Sequence, residues 1–198
     1  MKKIFKLLLP IILLGLAPQV RAQDPVTAGA APIVEAGIGY SYTQSTVPSE
    51  GKLASPGIIA SATGDLSQRL GVKLQVGYSR SFDAFQTGRS ADLMTYMAGP
   101  VFCPVRARNF DIYVQALAGG ARETGVNFET DGTLVRGYVN HFAWAAGAGL
   151  QYRISPGLSL RPEVEYLRSS FFDSNITIQK QRNVRASLSL VLTFGRRG

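Results

Sequence analysis

A chain of 198 residues with one Cys, one His and a formal charge of +8 excludes several chemistries before any pattern is considered. A single thiol forbids an internal disulfide, and one imidazole leaves metal clusters and histidine-paired dyads little to draw on. The basic balance weakens as evidence for a nucleic-acid partner once the N-terminus is read, because Lys2, Lys3, Lys6 and Arg21 account for four of the eight charges and leave +4 on the rest.

Those four bases flank an apolar run from Leu7 to Leu16, and Val20-Arg21-Ala22 follows as a small-residue break. This is the layout of a cleaved secretory signal, expected at residues 1–22 with cleavage after Ala22. The run is interrupted by Pro10 and is shorter than the roughly 20 residues that a bilayer-spanning helix needs. Residues 23–32 are small and Pro-containing, which reads as a short flexible lead. A single domain is expected over 33–198.

From Ile33 to Phe194 the chain alternates apolar and polar residues in eight short segments. A period of two means a strand with two unlike faces. The first strand sets Val34, Ala36, Ile38, Tyr40 and Tyr42 against Glu35, Gly37, Gly39 and Ser41. The second sets Ile58, Ala60, Ala62, Gly64 and Leu66 against Ile59, Ser61, Thr63 and Asp65. In the third, Val72, Leu74, Val76 and Tyr78 oppose Lys73, Gln75, Gly77 and Ser79. The fourth places Leu93, Thr95, Met97, Gly99 and Val101 on the apolar side and Met94, Tyr96, Ala98, Pro100 and Phe102 opposite, with Pro100 removing a ladder donor. The fifth opposes Phe110, Ile112, Val114, Ala116 and Ala118 to Asp111, Tyr113, Gln115, Leu117 and Gly119. The sixth opposes Phe142, Trp144, Ala146, Ala148, Leu150 and Tyr152 to His141, Ala143, Ala145, Gly147, Gly149 and Gln151. In the seventh, Leu158, Leu160, Pro162, Val164 and Tyr166 alternate with Ser159, Arg161, Glu163, Glu165 and Leu167. The eighth alternates Ala186, Leu188, Leu190, Leu192 and Phe194 with Arg185, Ser187, Ser189, Val191 and Thr193.

The gaps alternate in length. Long ones are read at 43–56, 80–91, 122–139 (with the turn dipeptide Asp131-Gly132) and 168–183; tight turns are read near 67–69 and at Pro156-Gly157. Eight strands joined in this way close into an all-β, antiparallel, up-and-down barrel without free edges. Long connections on one rim and tight turns on the other fit a transmembrane barrel of the bacterial outer membrane, with both termini in the periplasm.

Alternation alone does not say whether the apolar face points out. A soluble lipid carrier of the lipocalin type has the same period with the opposite polarity. The aromatics favour lipid: Tyr40, Tyr42, Tyr78, Phe110, Phe142, Trp144, Tyr152, Tyr166 and Phe194 lie toward strand ends, as interfacial girdles require. The opposite face is then a narrow lumen, too small for an open channel, where glycines leave space for Tyr96, Tyr113 and Arg161. Its charges are Glu35, Asp65, Asp111, Glu163 and Glu165 with Lys73, Arg161 and Arg185. Carboxylates outnumber bases by five to three, so water, amides or a shared proton must handle the surplus.

The run Tyr96-Met97-Ala98-Gly99-Pro100-Val101-Phe102, the strand Val114 to Gly120, and Phe142 to Leu150 followed by Leu160-Arg161-Pro162 resemble the small outer-membrane β-barrel domain family, related in shape to OmpA and OmpX. The resemblance implies an eight-stranded monomeric barrel. The last strand, with Leu188, Leu190, Leu192 and Phe194, is similar to the signal read by the barrel-assembly machinery, although Gly195 to Gly198 follow it.

No cofactor, metal site or catalytic residue is expected. His141 would be a base for a Ser nucleophile only with a serine two residues away, as in lipid A deacylases, and that position is Ala143. Glu163 and Glu165 lack substrate access in a filled lumen. Gly37-Ile38-Gly39 and Gly147-Ala148-Gly149 lie inside strands and form no phosphate loop. Cys103 reads as an ordinary small side chain. The long gaps carry Arg80, Arg89, Arg122, Arg136, Arg168, Lys180 and Arg182, candidate contacts for lipopolysaccharide phosphates, with Phe128 and Phe171-Phe172 beside them. The expected function is a non-enzymatic integral barrel with a structural or surface-interaction role. A small solute pore, a lipid A-modifying enzyme and a soluble periplasmic lipid carrier are the alternatives.

Overall fold

A computed structural model describes residues 33–47, 51–82, 90–128, 134–172 and 178–195; the expected signal and lead, Arg89 and the Asp131-Gly132 turn lie outside the described residues. Eight strands run Val34–Val47 (β1), Gly51–Asp65 (β2), Leu70–Ser81 (β3), Ala91–Arg106 (β4), Phe110–Phe128 (β5), Leu134–Ser155 (β6), Leu158–Phe172 (β7) and Ile178–Phe194 (β8). Each pairs antiparallel with the next, and β8 returns to β1 through Val34↔Phe194 to Thr46↔Arg182. Closure satisfies every edge, which hydrocarbon cannot do for a strand.

The register fixes the stagger of the wall. Following paired residues once round, from Phe110 through Tyr152, Leu160, Leu190, Ile38, Ala60, Val76 and Tyr96, returns to β5 at Gly120, ten residues beyond the start. A barrel so sheared has strongly tilted strands and an interior only wide enough for side chains.

The strands are longer than the alternation indicates. Most of three of the four long gaps is strand: β1 and β2 pair as far as Val47↔Gly51, β5 and β6 as far as Phe128↔Leu134, and β7 and β8 as far as Phe172↔Ile178. The reason is physical. Beyond the apolar belt the outer face of a hairpin meets water and the inner face carries small polar residues such as Thr43 and Ser45, so the period-two contrast vanishes while the backbone still needs its ladder partners. At 22 residues β6 is about twice the 9–11 that a tilted strand uses to cross hydrocarbon.

At the other rim the turns are short. The β2–β3 turn is held by Leu66 N–H donating to Leu70 O at 2.8 Å and by Leu70 N–H donating to the Ser67 hydroxyl at 3.1 Å. Gly157 takes φ 97° between β6 and β7, a backbone conformation that suits glycine.

The facing of seven strands follows the alternation, and that of β4 is inverted. Thr95, Met97 and Val101 are buried inside, whereas Met94, Tyr96 and Phe102 face out. Both faces of this strand are mostly apolar, so periodicity had nothing to decide between. Register decides it, since Met97 pairs with Gln75 and Gly119 on inward-facing positions. Tyr96 therefore does not fill the lumen; its ring covers Gly120, its cross-strand partner, on the outer wall.

Inside, Tyr113 lies against Gly149, where a Cβ would collide with the phenol. Gly149→Ala is expected to lower unfolding free energy by about 1–3 kcal/mol. A double-mutant cycle with Tyr113→Ala, read by urea unfolding in detergent, should recover most of that loss; an additive cycle would contradict the contact.

Candidate functional site

Seven of the eight strands bring eleven polar residues of the lower lumen into one network. Lys73 on β3 pairs with Glu163 on β7, and its ammonium also donates to the Gln115 amide oxygen at 3.0 Å. Arg161 pairs with Glu35 and donates through Nε to Gln151 at 3.1 Å. Arg185 donates through Nε to Glu165 at 2.7 Å and through a terminal nitrogen to Thr95 at 3.0 Å. Gln75 bonds both oxygens of Glu165, at 2.9 and 3.1 Å. Tyr113 lies between two cations, with Lys73 5.8 Å and Arg161 5.6 Å from its ring centre, a geometry that favours both charges.

Two bases that the sequence reading omitted complete the set. Arg106 pairs with Asp65 at 3.1 Å, and Arg153 grips both oxygens of Asp111 at 2.8 and 2.7 Å. The five carboxylates thus meet five bases one for one, and the expected surplus of acid does not exist. Arg153 was legible, since it continues the inward parity of Gln151. Arg106 was not: an irregularity between Phe102 and Val105 shifts the parity of β4, as a bulge does. Asp65 and Arg106 sit half-open at the turn rim, while Lys73, Glu163, Glu165 and Arg185 are almost fully buried.

Above this ionic layer the lumen is apolar on the side of β4 to β7, while Ser41, Thr43, Ser45, Ser55 and Asn183 are buried on the side of β1, β2 and β8. Met97, Leu117, Ala121, Ala143, Ala145 and Leu167 form a cluster with Leu93 against it, a feature hidden by the inverted facing of β4. A cavity of about 20 Å³ remains near the turn rim, lined by Glu35, Lys73, Cys103, Arg106, Tyr113 and Arg161 among others. That is room for about one water molecule. Cys103 is a free, half-buried thiol there.

The outer wall carries the aromatics named from sequence. Tyr40, Tyr42, Tyr78, Phe110, Phe142, Tyr152, Tyr166 and Phe194 are exposed on the outer face, and Trp144 packs beside Tyr166 with ring centres 5.8 Å apart. Ile38 (66% exposed), Leu188, Leu190 and Leu192 face the same way. A soluble carrier needs these side chains inside, so that alternative does not describe this barrel.

Above the belt the outward positions turn polar at one level. Tyr42 is followed by Gln44, Tyr78 by Arg80, Gly120 by Arg122 and Tyr166 by Arg168, while Asp92, Asn140 and Arg182 stand at the matching places on β4, β6 and β8. The candidate bases therefore stand mainly on strand walls. Arg80 reaches Asp92 at 3.5 Å and the Ser90 hydroxyl at 3.2 Å. Arg136 and Lys180 belong to β6 and β8, opposite Val126 and Ser170, with side chains outside the described set, as are those of Phe128, Phe171 and Phe172. His141 faces inward opposite Ala121.

A closed barrel with a greasy exterior and an ion-paired interior defines a membrane-spanning β-barrel. The chain belongs to a family described as the outer membrane protein beta-barrel domain, which matches residues 8–194, and it is an integral outer-membrane barrel. Its structure is similar to Neisserial surface protein A (TM-score 0.66, 15% identity, 84% of this chain and 99% of that one). It is also similar to Ail of Yersinia pestis, solved with the heparin analogue sucrose octasulfate (TM-score 0.58, 18% identity, 82% and 99%). A major outer membrane protein from Thermus thermophilus is a third (TM-score 0.51, 12% identity, 81% and 99%). At these identities the likeness is one of fold. No curated protein sequence matches the chain significantly.

Arg161→Met leaves Glu35 charged and buried, and should lower stability by about 3–5 kcal/mol. Arg106→Met at the half-open rim should lose about 1 kcal/mol or less. Urea titration of both variants in detergent checks the order; equal losses would contradict the layered network.

Proposed function

We propose that this barrel is a non-enzymatic surface protein of the Gram-negative outer membrane, monomeric, with both termini in the periplasm and its extended hairpins outside. The barrel-assembly machinery would receive it through the β8 sequence ending in Phe194. The observation that carries this reading is the contrast between a filled lumen and a basic outer collar. Five internal ion pairs and an apolar cluster occupy the lumen, which argues against a pore. Catalysis finds little support, because Ala143 occupies the place that a serine would need beside His141. What the protein offers its surroundings is the collar of Arg80, Arg122, Arg168 and Arg182, extended in sequence by Arg89, Arg136 and Lys180. Guanidinium groups at the edge of a hydrocarbon belt suit the phosphates of lipopolysaccharide, which they bind in bidentate fashion.

An epitope inserted between Val47 and Gly51 should be labelled by antibody on intact cells; labelling only after outer-membrane permeabilisation would reverse the orientation. Purified barrel should retain lipopolysaccharide about tenfold more strongly than a variant with Arg80, Arg122, Arg168 and Arg182 all changed to Gln. Equal retention would remove the collar's role, and steady unit conductance in a planar bilayer would restore the pore.

A further inference from the structure

Two collar residues differ from the others. Arg168 on β7 and Arg182 on β8 are direct cross-strand partners on the outer face, which puts their Cβ atoms about 4.5–5.5 Å apart. Like charges in that relation repel and destabilise a sheet. Arg80 has Asp92 beside it, and Arg122 also has an interaction of its own. No carboxylate pairs with Arg168 or Arg182 among the described residues. Their flanking partners in the same row are Trp144 on β6 and Thr46 on β1, and the next outward row below holds Tyr166 and Val184, all uncharged. Two arginines thus occupy one cross-strand position on the outer face, with Trp144 beside them and Tyr166 below, and with no ion-pairing acid among the described residues.

We propose that Arg168 and Arg182 clamp the phosphate monoester of a membrane lipid headgroup, its acyl chains lying down the outer wall over Val164, Ala186 and Leu188. The inference rests on the collar reading above and narrows it to one pair and one ligand chemistry. A phosphate monoester carries a charge near −2 at neutral pH, matching two guanidinium groups, whereas a diester carries one. Each planar guanidinium presents paired N–H donors to two phosphate oxygens. Trp144 and Tyr166 supply the amphipathic surface on which the glycerol or sugar part of a headgroup rests at the lipid–water boundary. The wall below is apolar, so a lipid gains there what a free phosphate does not.

The test is native mass spectrometry of the folded barrel in detergent with phosphatidic acid or phosphatidylglycerol of identical chains. The barrel should retain the monoester about tenfold better than the diester, and the double variant R168Q/R182Q should lose that preference. Arg69→Gln, on the opposite rim, should keep it. Heat-modifiability on a gel establishes that the double variant is folded; if it is not, R168Q and R182Q are measured singly, each expected to lower the preference by about threefold. Equal retention of both lipids by the native barrel, or a preference that survives in the folded variants, overturns the clamp. Displacement of the lipid by millimolar inorganic phosphate also overturns it, by assigning the pair to free phosphate. Retention of lipopolysaccharide that falls in the four-Arg variant but not in R168Q/R182Q refutes this pairing and leaves the collar standing.

Discussion

Charge neutralisation inside a space too narrow to hydrate an ion is the constraint on which the rest of this barrel depends. Hydrocarbon outside demands closure, closure at this strand number and stagger sets a small bore, and a small bore leaves no room to hydrate an ion. Each acid must therefore meet a base of the chain itself. The five pairs are the result, and the glycines opposite Tyr113 and Tyr96 are where the wall yields to let rings lie flat. An ion pair of this sort adds little net stability compared with a well-packed apolar substitute, but it penalises any register that would separate the partners. In this barrel the pairs specify the arrangement of strands as much as they hold it together.

Two kinds of closure coexist in the lumen. Near the turn rim the filling is ionic, and further up it is aliphatic on one side, from Met97, Leu117 and Leu167, and lined by Thr43, Ser45 and Asn183 on the other. The division follows height along the strands: β6 brings Gln151 and Arg153 low in the lumen and Ala143 and Ala145 above them, and β7 brings Arg161, Glu163 and Glu165 below Leu167. The outside shows the same economy of means, since one change in side-chain type, from aromatic to arginine two residues later, marks the end of the hydrocarbon layer on β3 and β7.

Strand number, pairing order and the facing of seven strands were legible because each of those strands has one greasy and one wet face. The fourth was not, since Met94 and Met97, or Tyr96 and Val101, are equally at home against lipid or in a dry lumen. Hairpin length was hidden for a related reason: above the belt Gln44 and Thr46 alternate with Thr43 and Ser45, polar against polar, and no period is visible. The ionic lumen shows both limits. Glu35, Lys73, Arg161, Glu163, Glu165 and Arg185 could be placed inside by parity, and Arg153 by extending that parity by one step. Arg106 required knowing where β4 breaks step, which is a property of three-dimensional pairing. The collar bases were found by type but assigned to loops, because sequence marks the end of a hydrophobic pattern and not the end of a strand.

The ion pairs join segments far apart along the chain: Arg161 and Glu35 are separated by 126 positions, Lys73 and Glu163 by 90. Neither pair can exist until β7 has come round to face β1 and β3 across the lumen. A half-built sheet would carry naked charges on the side destined for the interior, and it would be repelled by the bilayer on that side. Insertion and cylinder closure are consequently a single event for this molecule, with partly assembled forms confined to water or to a protein-lined cleft until the seam between β1 and β8 zips shut.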